Sequence, residues 1–281
     1  MLDIEVTIVP EMAGELAARM MSIWPDMEVE TLGRGVHARL PVDRTVDRRL
    51  AQLEEVLRAV EEAKGLSPLD VRAVNLTGPD SGPERIDVGR FRILRPEAEA
   101  PPDPDKITLR LDPGAAFGTG GHPSTALTLL ALDEFLTPAP GVRPRTGASV
   151  LDVGAGSGIL SLASARLGAG PILAVDVVEE AIEAARRNAA ANMIDSITVG
   201  RTLPQPDSGK FDLILANLVP SVLTRLLKRL VPLMAAEGAM IVSGFADAQT
   251  PQVVRVLTKT GLVIQKSYSG QGWTALTLIL P

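Results

Sequence analysis

The feature that most constrains the fold is the stretch from Ser149 to Gly158, which reads Ser-Val-Leu-Asp-Val-Gly-Ala-Gly-Ser-Gly. Its apolar half predicts a short buried strand, its glycines predict a tight loop, and residues 159–167 continue as a helix. Glycines after a strand let a ligand approach the backbone, and the N–H groups at the start of the following helix favour polar, anionic groups. The stretch therefore predicts a small-molecule pocket in a parallel α/β sheet.

The spacing of the glycines bears on which small molecule is bound. They stand at positions 154, 156 and 158, a G-x-G-x-G pattern. The dinucleotide fingerprint has its third glycine one position later, where this chain has Ile159, so the pattern disfavours NAD without excluding it. The stretch from Ile172 to Asp176 predicts a second apolar strand that ends in an acid. Asp176 can accept hydrogen bonds from ribose hydroxyls, or it can instead cap the next helix.

Composition narrows the class of protein. The chain has 281 residues, enough for one large domain or two small ones, and a net charge of −6 without a basic run. This charge argues against direct binding of nucleic acid by a mainly electrostatic surface. Cysteine is absent, which excludes disulfides and thiolate chemistry, and the two histidines, His37 and His122, lack metal-ligand spacing. We expect no metal site.

The termini and apolar runs bear on localisation. The N-terminus has no basic segment followed by an apolar core, so no signal peptide is predicted. No apolar run reaches the length that spans a membrane. We therefore expect a cytoplasmic protein that does not act at a membrane.

The first 77 residues predict a small α+β domain. Strands and helices alternate in the order β-α-β-β-α-β, which suggests a ferredoxin-like module. We expect its second helix over residues 43–64. Residues 78–106 contain a short strand at Phe91–Leu94 and then a run of prolines and acids at 95–105, which predicts a linker region. The second domain is then expected over residues 107–281.

The second domain repeats strand and helix. Apolar strands are predicted at 149–153, 172–177, 197–199, 211–217 and 239–243, with helices between them, and two last strands at 262–267 and 273–280. The short turn between the last two predicts a hairpin. The expected fold is a doubly wound, mostly parallel seven-stranded sheet with an antiparallel C-terminal hairpin.

A second glycine-rich loop precedes this sheet. Residues 112–125 include glycines at 118, 120 and 121, too many for an ordinary turn. Such a loop predicts another close approach of backbone to a ligand, with a flexible connector as the alternative.

Two further patterns carry a family resemblance. With the strand count, Leu151–Gly158 and Asp176 resemble the class I S-adenosylmethionine-dependent methyltransferase fold. Phe117-Gly-Thr-Gly-Gly-His-Pro-Ser-Thr125 and Leu215-Ala-Asn-Leu218 are similar to the ribosomal protein L11 methyltransferase family, from about Ile107 to the C-terminus. The N-terminal region lacks the tryptophan-rich stretch of that family. Because the resemblance implies that the small domain over residues 1–77 recognises substrate, it implies methyl transfer more directly than it implies L11 as the acceptor.

The resemblance implies a set of cofactor contacts. Gly154 and Gly156 would approach the methionine part of S-adenosylmethionine, and Asp152 would meet its ammonium or instead only stabilise the loop. Asp176 would hold the ribose. The loop residues Phe117, Thr119 and Thr125 would lie near the cofactor's carboxylate or methyl donor, although Thr125 also fits an ordinary first-turn helix position.

The resemblance also implies catalytic roles for Asn217 and Thr119. The carbonyl of Asn217 would accept from an incoming amine and aim the nitrogen lone pair at the methyl group. Asn217-Leu-Val-Pro220 lacks the adjacent proline and the aromatic of nucleic-acid amino methyltransferases, which favours a protein amine. His122 fits a structural role better than that of a base. We expect N-methylation of a lysine or α-amine of L11 or a related protein.

Three alternatives remain open at this point. The chain could methylate another protein or a small metabolite, because its charge balance suits either. It could be a NAD(P)-dependent oxidoreductase, against which Ile159 and the Phe117 loop count. It could also be a silent binding module that keeps the fold, although the intact Asp152, Asp176 and Asn217 count against this.

Overall fold

The structure is a computed structural model that describes residues 2–7, 10–24, 28–32, 35–40, 56, 70–75, 85–112, 120–137 and 145–281. Contacts divide the chain into two compact units, Met1–Ser81 and Gly82–Pro281. This division falls inside the 78–106 stretch that the sequence suggests as the boundary. None of the helices within the described ranges is both long and apolar enough to cross a membrane.

The first unit contains a four-stranded antiparallel sheet and a helix that contacts it. The strand order is β2-β3-β1-β4, which is the order of a split β-α-β module. The helix buries one stripe, with Leu16 and Met20 both fully inaccessible. The helix predicted at 43–64 lies outside the described residues apart from Val56. The elements are β1 (Leu2–Thr7), α1 (Pro10–Ile23), β2 (Glu28–Leu32), β3 (Gly35–Leu40) and β4 (Asp70–Asn75).

The second unit begins with a small sheet that the sequence analysis placed largely in a linker. Its strands are β5 (Arg85–Val88), β6 (Phe91–Leu94) and β7 (Ile107–Arg110), in that order. Phe91 and Leu109 are fully buried in the same apolar cluster as the central strands of the large sheet. The described residues 85–112 are therefore packed structure of the second unit, and the expected linker is shorter than 78–106.

Two arginines explain why the proline-rich stretch is ordered. Arg92, on β6, donates to the carbonyl of Pro101 at 3.0 Å and to the carboxylate of Asp103 at 2.8 Å. Arg110, on β7, donates to the carbonyls of Pro96 at 2.6 Å and Ala98 at 3.1 Å. Three of these four bonds give a donor to a backbone carbonyl that has no partner in a strand ladder. The composition of the stretch alone does not reveal these bonds.

The large sheet confirms the predicted fold class. It has seven strands in the order β10-β9-β8-β11-β12-β14-β13. The first five are parallel to one another, and β14 runs antiparallel between β12 and β13. The strands are β8 (Val150–Val153), β9 (Ile172–Val175), β10 (Ile197–Gly200), β11 (Phe211–Asn217), β12 (Met234–Ala246), β13 (Val263–Gly270) and β14 (Trp273–Ile279).

Helices bury both faces of this sheet, as a doubly wound fold requires. Leu213 and Leu215 of β11 belong to one apolar cluster, whereas the alternating Ile214 and Ala216 belong to another. The first cluster includes α2 and α3, and the second includes α5 and α6. The helices are α2 (Pro123–Leu136), α3 (Ile159–Arg166), α4 (Glu179–Ala191), α5 (Pro220–Leu230) and α6 (Thr250–Lys259).

Candidate functional site

The candidate site lies where the strand order reverses, at the carboxyl ends of the central strands. Strand β8 pairs with β9 on one side and with β11 on the other. Leu215 of β11 lies opposite Asp152 of β8, so Asn217 extends to the level of the glycine loop that follows β8. Ligands of open α/β sheets bind at such a reversal point.

Close packing explains two of the three loop glycines, all of which have positive φ. A β-carbon on Gly154 would lie 2.4 Å from Cδ2 of Leu218, the residue after Asn217. A β-carbon on Gly158 would lie 3.1 Å from Cβ of Ala185, on α4. The loop is therefore held tightly between β11 and α4, with φ of 70°, 54° and 81° at positions 154, 156 and 158.

Asp176 joins the glycine loop to the start of α4. One carboxylate oxygen accepts from the N–H of Gly156 at 2.9 Å, and the other accepts from the N–H of Val178 at 3.0 Å. The N-cap of α4 is Val178, so the alternative that Asp176 caps this helix is wrong; its bond to Val178 is a local side-chain turn that precedes the helix. Each carboxylate oxygen has a second lone pair that remains able to accept from a ribose hydroxyl.

Asp152 is a buried carboxyl with one satisfied oxygen. Its Oδ2 accepts from the N–H of Ser161 at 3.1 Å and from the hydroxyl of Ser161 at 2.6 Å. Its Oδ1 is buried and has no hydrogen-bond partner among the described residues. Burial raises the pKa of Asp152 to about 6, against the lowering effect of the two Ser161 bonds and with a smaller contribution from the charge of Asp176. An unpaired buried oxygen of this kind is suited to a cation.

Thr125 holds the side chain of Asn217 in a defined orientation. Nδ2 of Asn217 donates to Oγ1 of Thr125 at 3.2 Å, and Thr125 is 1% exposed in the first turn of α2. Oδ1 of Asn217 is buried and finds no partner in the described part of the chain. The amide therefore presents an acceptor at the end of β11 with its donor side already engaged.

His122 is the N-cap of α2. Its Nδ1 accepts from the N–H of Ser124 at 3.2 Å, and its ring meets that of Trp273 edge-on at 4.5 Å. These contacts agree with the structural role expected for this histidine. Phe117 and Thr119, the other predicted loop residues, lie outside the described residues.

Sequence reasoning missed three residues that shape the site. Ser161 donates two hydrogen bonds to Asp152, and the side chain of Leu218 packs against Gly154. Asn188 of α4 donates to the carbonyl of Ser157 in the glycine loop at 2.8 Å. Only Asn188 leaves a signal in the sequence. It and Asn192 stand one turn apart in an alanine-rich helix, where buried asparagines need specific partners.

The residues present fit a cofactor with a cationic group and a ribose, since Asp152 offers an unpaired oxygen and Asp176 two lone pairs. No group of three or more acidic or histidine side chains that would suit a metal ion occurs within the described ranges.

Comparison with known proteins shows that this α/β protein is a methyltransferase. The family model described as "Ribosomal protein L11 methyltransferase (PrmA)" matches residues 83–279. The chain belongs to the ribosomal protein L11 methyltransferase family. The match begins at residue 83, earlier than the start near Ile107 that the sequence patterns indicated.

Individual relatives agree with the family match. The chain is 34% identical over 271 residues to the ribosomal protein L11 methyltransferase of Heliobacterium modesticaldum, covering 91% of this chain and 83% of the relative. It is 39% identical over 229 residues to the ribosomal protein L11 methyltransferase of Pelobacter propionicus, which covers 78% of this chain and 73% of the relative. A solved ribosomal protein L11 methylase from Lactobacillus delbrueckii subsp. bulgaricus superimposes with a TM-score of 0.61 at 34% identity. The superposition covers 69% of this chain and 97% of the solved chain. The predicted family and enzyme class are confirmed, and the oxidoreductase alternative is set aside.

Proposed function

We propose that this chain uses S-adenosylmethionine to methylate a lysine or α-amine nitrogen of ribosomal protein L11 or a related protein. Its relatives are ribosomal protein L11 methyltransferases, which supports this acceptor. The observation that carries the proposal is the buried Oδ1 of Asn217, which has no partner among the described residues and lies at the end of β11, level with the glycine loop. Such an acceptor suits a substrate that arrives with an N–H group.

Three residues are suited to hold the cofactor. Asp152 directs its unpaired Oδ1 to the ammonium, Gly156 lets the backbone approach the methionine part, and Asp176 accepts from the ribose. When bound, S-adenosylmethionine supplies an electrophilic methyl group with its own leaving group, so the protein mainly has to position the acceptor. Phe117 and Thr119 remain predicted contributors from the loop that the family resemblance identifies.

Asn217 orients the acceptor nitrogen. Because its Nδ2 is engaged by Thr125, its Oδ1 accepts an N–H from the amine and directs the lone pair away from itself. The amine must be neutral to react, and desolvation in the site lowers the pKa of an ammonium. His122 caps α2 and is not assigned as the base. The proton of the acceptor ammonium therefore passes to solvent before methyl transfer. We propose that the enzyme acts in the cytoplasm, as a ribosomal protein acceptor would require.

Calorimetric titration with S-adenosylhomocysteine, followed by transfer of labelled methyl groups to purified L11, tests the proposal. We expect binding by the wild type and labelling of L11. For Asn217→Ala we expect turnover to fall about 100-fold while the affinity for S-adenosylhomocysteine changes less than about threefold. Binding without labelling of L11 would redirect the acceptor to another protein or a small metabolite. Absence of binding would overturn the cofactor assignment.

A further inference from the structure

Helix α4 takes the place of a strand at the open edge of β7. Asn192 accepts from the N–H of Arg110 at 2.9 Å and donates to its carbonyl at 2.6 Å. Asn188 accepts from the N–H of Asp112 at 2.8 Å and donates to its carbonyl at 2.9 Å. Four helical residues rise about 6 Å and two strand residues about 6.7 Å, so one helical turn matches the strand repeat. Each asparagine thereby makes the two bonds that a neighbouring strand residue would make.

Asn188 makes one more bond, and this bond reaches the candidate cofactor site. The second hydrogen on its Nδ2 goes to the carbonyl of Ser157 at 2.8 Å. Ser157 lies between Gly156, whose N–H binds Asp176, and Gly158, which packs on α4. Both amide hydrogens of Asn188 are therefore engaged in a position that is 1% exposed.

We propose that Asn188 is a positioning residue for cofactor binding, and this inference rests on the proposed function. One planar amide fixes the carbonyl of Ser157 at a set distance from the backbone of Asp112. That constraint holds the Ser157–Gly158 peptide in place, two peptide units along the loop from the Gly156 N–H that donates to Asp176. Without Asn188 the Ser157 carbonyl loses its fixed partner, so part of the binding free energy is lost to ordering this one segment of the loop.

Asn192 is a matched control for a purely structural role. It lies on the same helix, is 3% exposed and makes the same two bonds to strand backbone. Its remaining hydrogen bond goes to the carbonyl of Asn188 at 2.7 Å, within the helix, and not to the glycine loop. Removal of either side chain deletes buried hydrogen bonds and lowers stability, but only Asn188 connects to Ser157.

The experiment compares the wild type, Asn188→Ala and Asn192→Ala by thermal unfolding and by calorimetric titration with S-adenosylhomocysteine. We expect both variants to unfold at lower temperature by similar amounts. The dissociation constant should rise about tenfold or more in Asn188→Ala and stay within about twofold in Asn192→Ala. If Asn188→Ala does not fold, Asn188→Ser keeps a small polar group at the position and is titrated instead.

The outcomes separate this inference from the function on which it rests. Equal weakening in both variants, or unchanged affinity at position 188, would overturn the positioning role while the cofactor assignment stands. A wild type that does not bind S-adenosylhomocysteine would overturn the proposed function itself.

Discussion

The side-chain amide of Asn217 donates to the hydroxyl of Thr125 at 3.2 Å, and so joins two residues 92 positions apart in the sequence. Thr125 stands in the first turn of α2, and Asn217 ends the central strand β11. The bond engages the donor side of the amide and leaves the carbonyl oxygen of Asn217 as the group that we propose orients the acceptor amine. Orientation of Asn217 is therefore assigned to a residue that does not itself need to touch the substrate.

Thr125→Val removes the oxygen that Nδ2 of Asn217 binds while keeping the shape of the side chain. We expect turnover to fall about tenfold with little change in the affinity for S-adenosylhomocysteine, because the Asn217 amide loses its fixed orientation. Thr128→Val is the control, since Thr128 is buried on the same helix and donates to the carbonyl of Ser124 at 2.8 Å. Equal loss of turnover in both variants would assign the effect to helix α2 as a whole.

Asp176→Ala removes the proposed acceptor for ribose hydroxyls and the bond to the N–H of Gly156. We expect the affinity for S-adenosylhomocysteine to fall at least about tenfold, as measured by calorimetry, since two hydrogen bonds to a charged group are lost. Asp195→Ala, at an exposed position before β10, should bind as the wild type does. Unchanged affinity in Asp176→Ala would refute the ribose assignment.

Cofactor affinity should depend on the ionisation of Asp152. Its pKa is about 6 in the folded protein, so the carboxylate that pairs with an ammonium is present above this pH and is lost below it. We expect S-adenosylhomocysteine to bind about tenfold more weakly at about pH 5 than at about pH 7.5. Asp152→Asn should bind weakly at both values. A wild-type affinity that does not change over this range would contradict the contact.

The same group should affect the stability of the unliganded protein in the opposite sense. An unfolded chain loses the Asp152 proton near 3.8 and the folded protein near 6, so the folded state binds more protons between these values. The free energy of unfolding should therefore fall by up to about 3 kcal/mol as pH rises through this window. Urea unfolding of the wild type and Asp152→Asn at several pH values measures this contribution, which Asp152→Asn should lack.

Arg92→Ala should destabilise the second unit. The guanidinium of Arg92 is almost fully buried and holds the carbonyl of Pro101 and the carboxylate of Asp103. We expect the free energy of unfolding in urea to fall by about 2 kcal/mol, because two partly buried hydrogen bonds from Arg92, to Pro101 and Asp103, are lost. Arg85→Ala provides the contrast, since Arg85 pairs with Asp87 at the surface, where solvent replaces a lost ion pair. A similar loss of unfolding free energy in both variants would argue against a stabilising role for the bonds from Arg92 to Pro101 and Asp103.

The sequence by itself determined the doubly wound sheet, because strand and helix periodicities are local properties of the chain. It also brought the glycine loop, Asp176 and Asn217 to one edge, since the carboxyl ends of parallel strands meet there. Only the tertiary structure decided how the polar groups are paired. Asn188 binds Asp112, which is 76 positions away, and Arg92 and Arg110 order a stretch whose composition is that of a linker. A buried polar group takes whichever partner the packing brings within about 3 Å, and no local pattern specifies that partner.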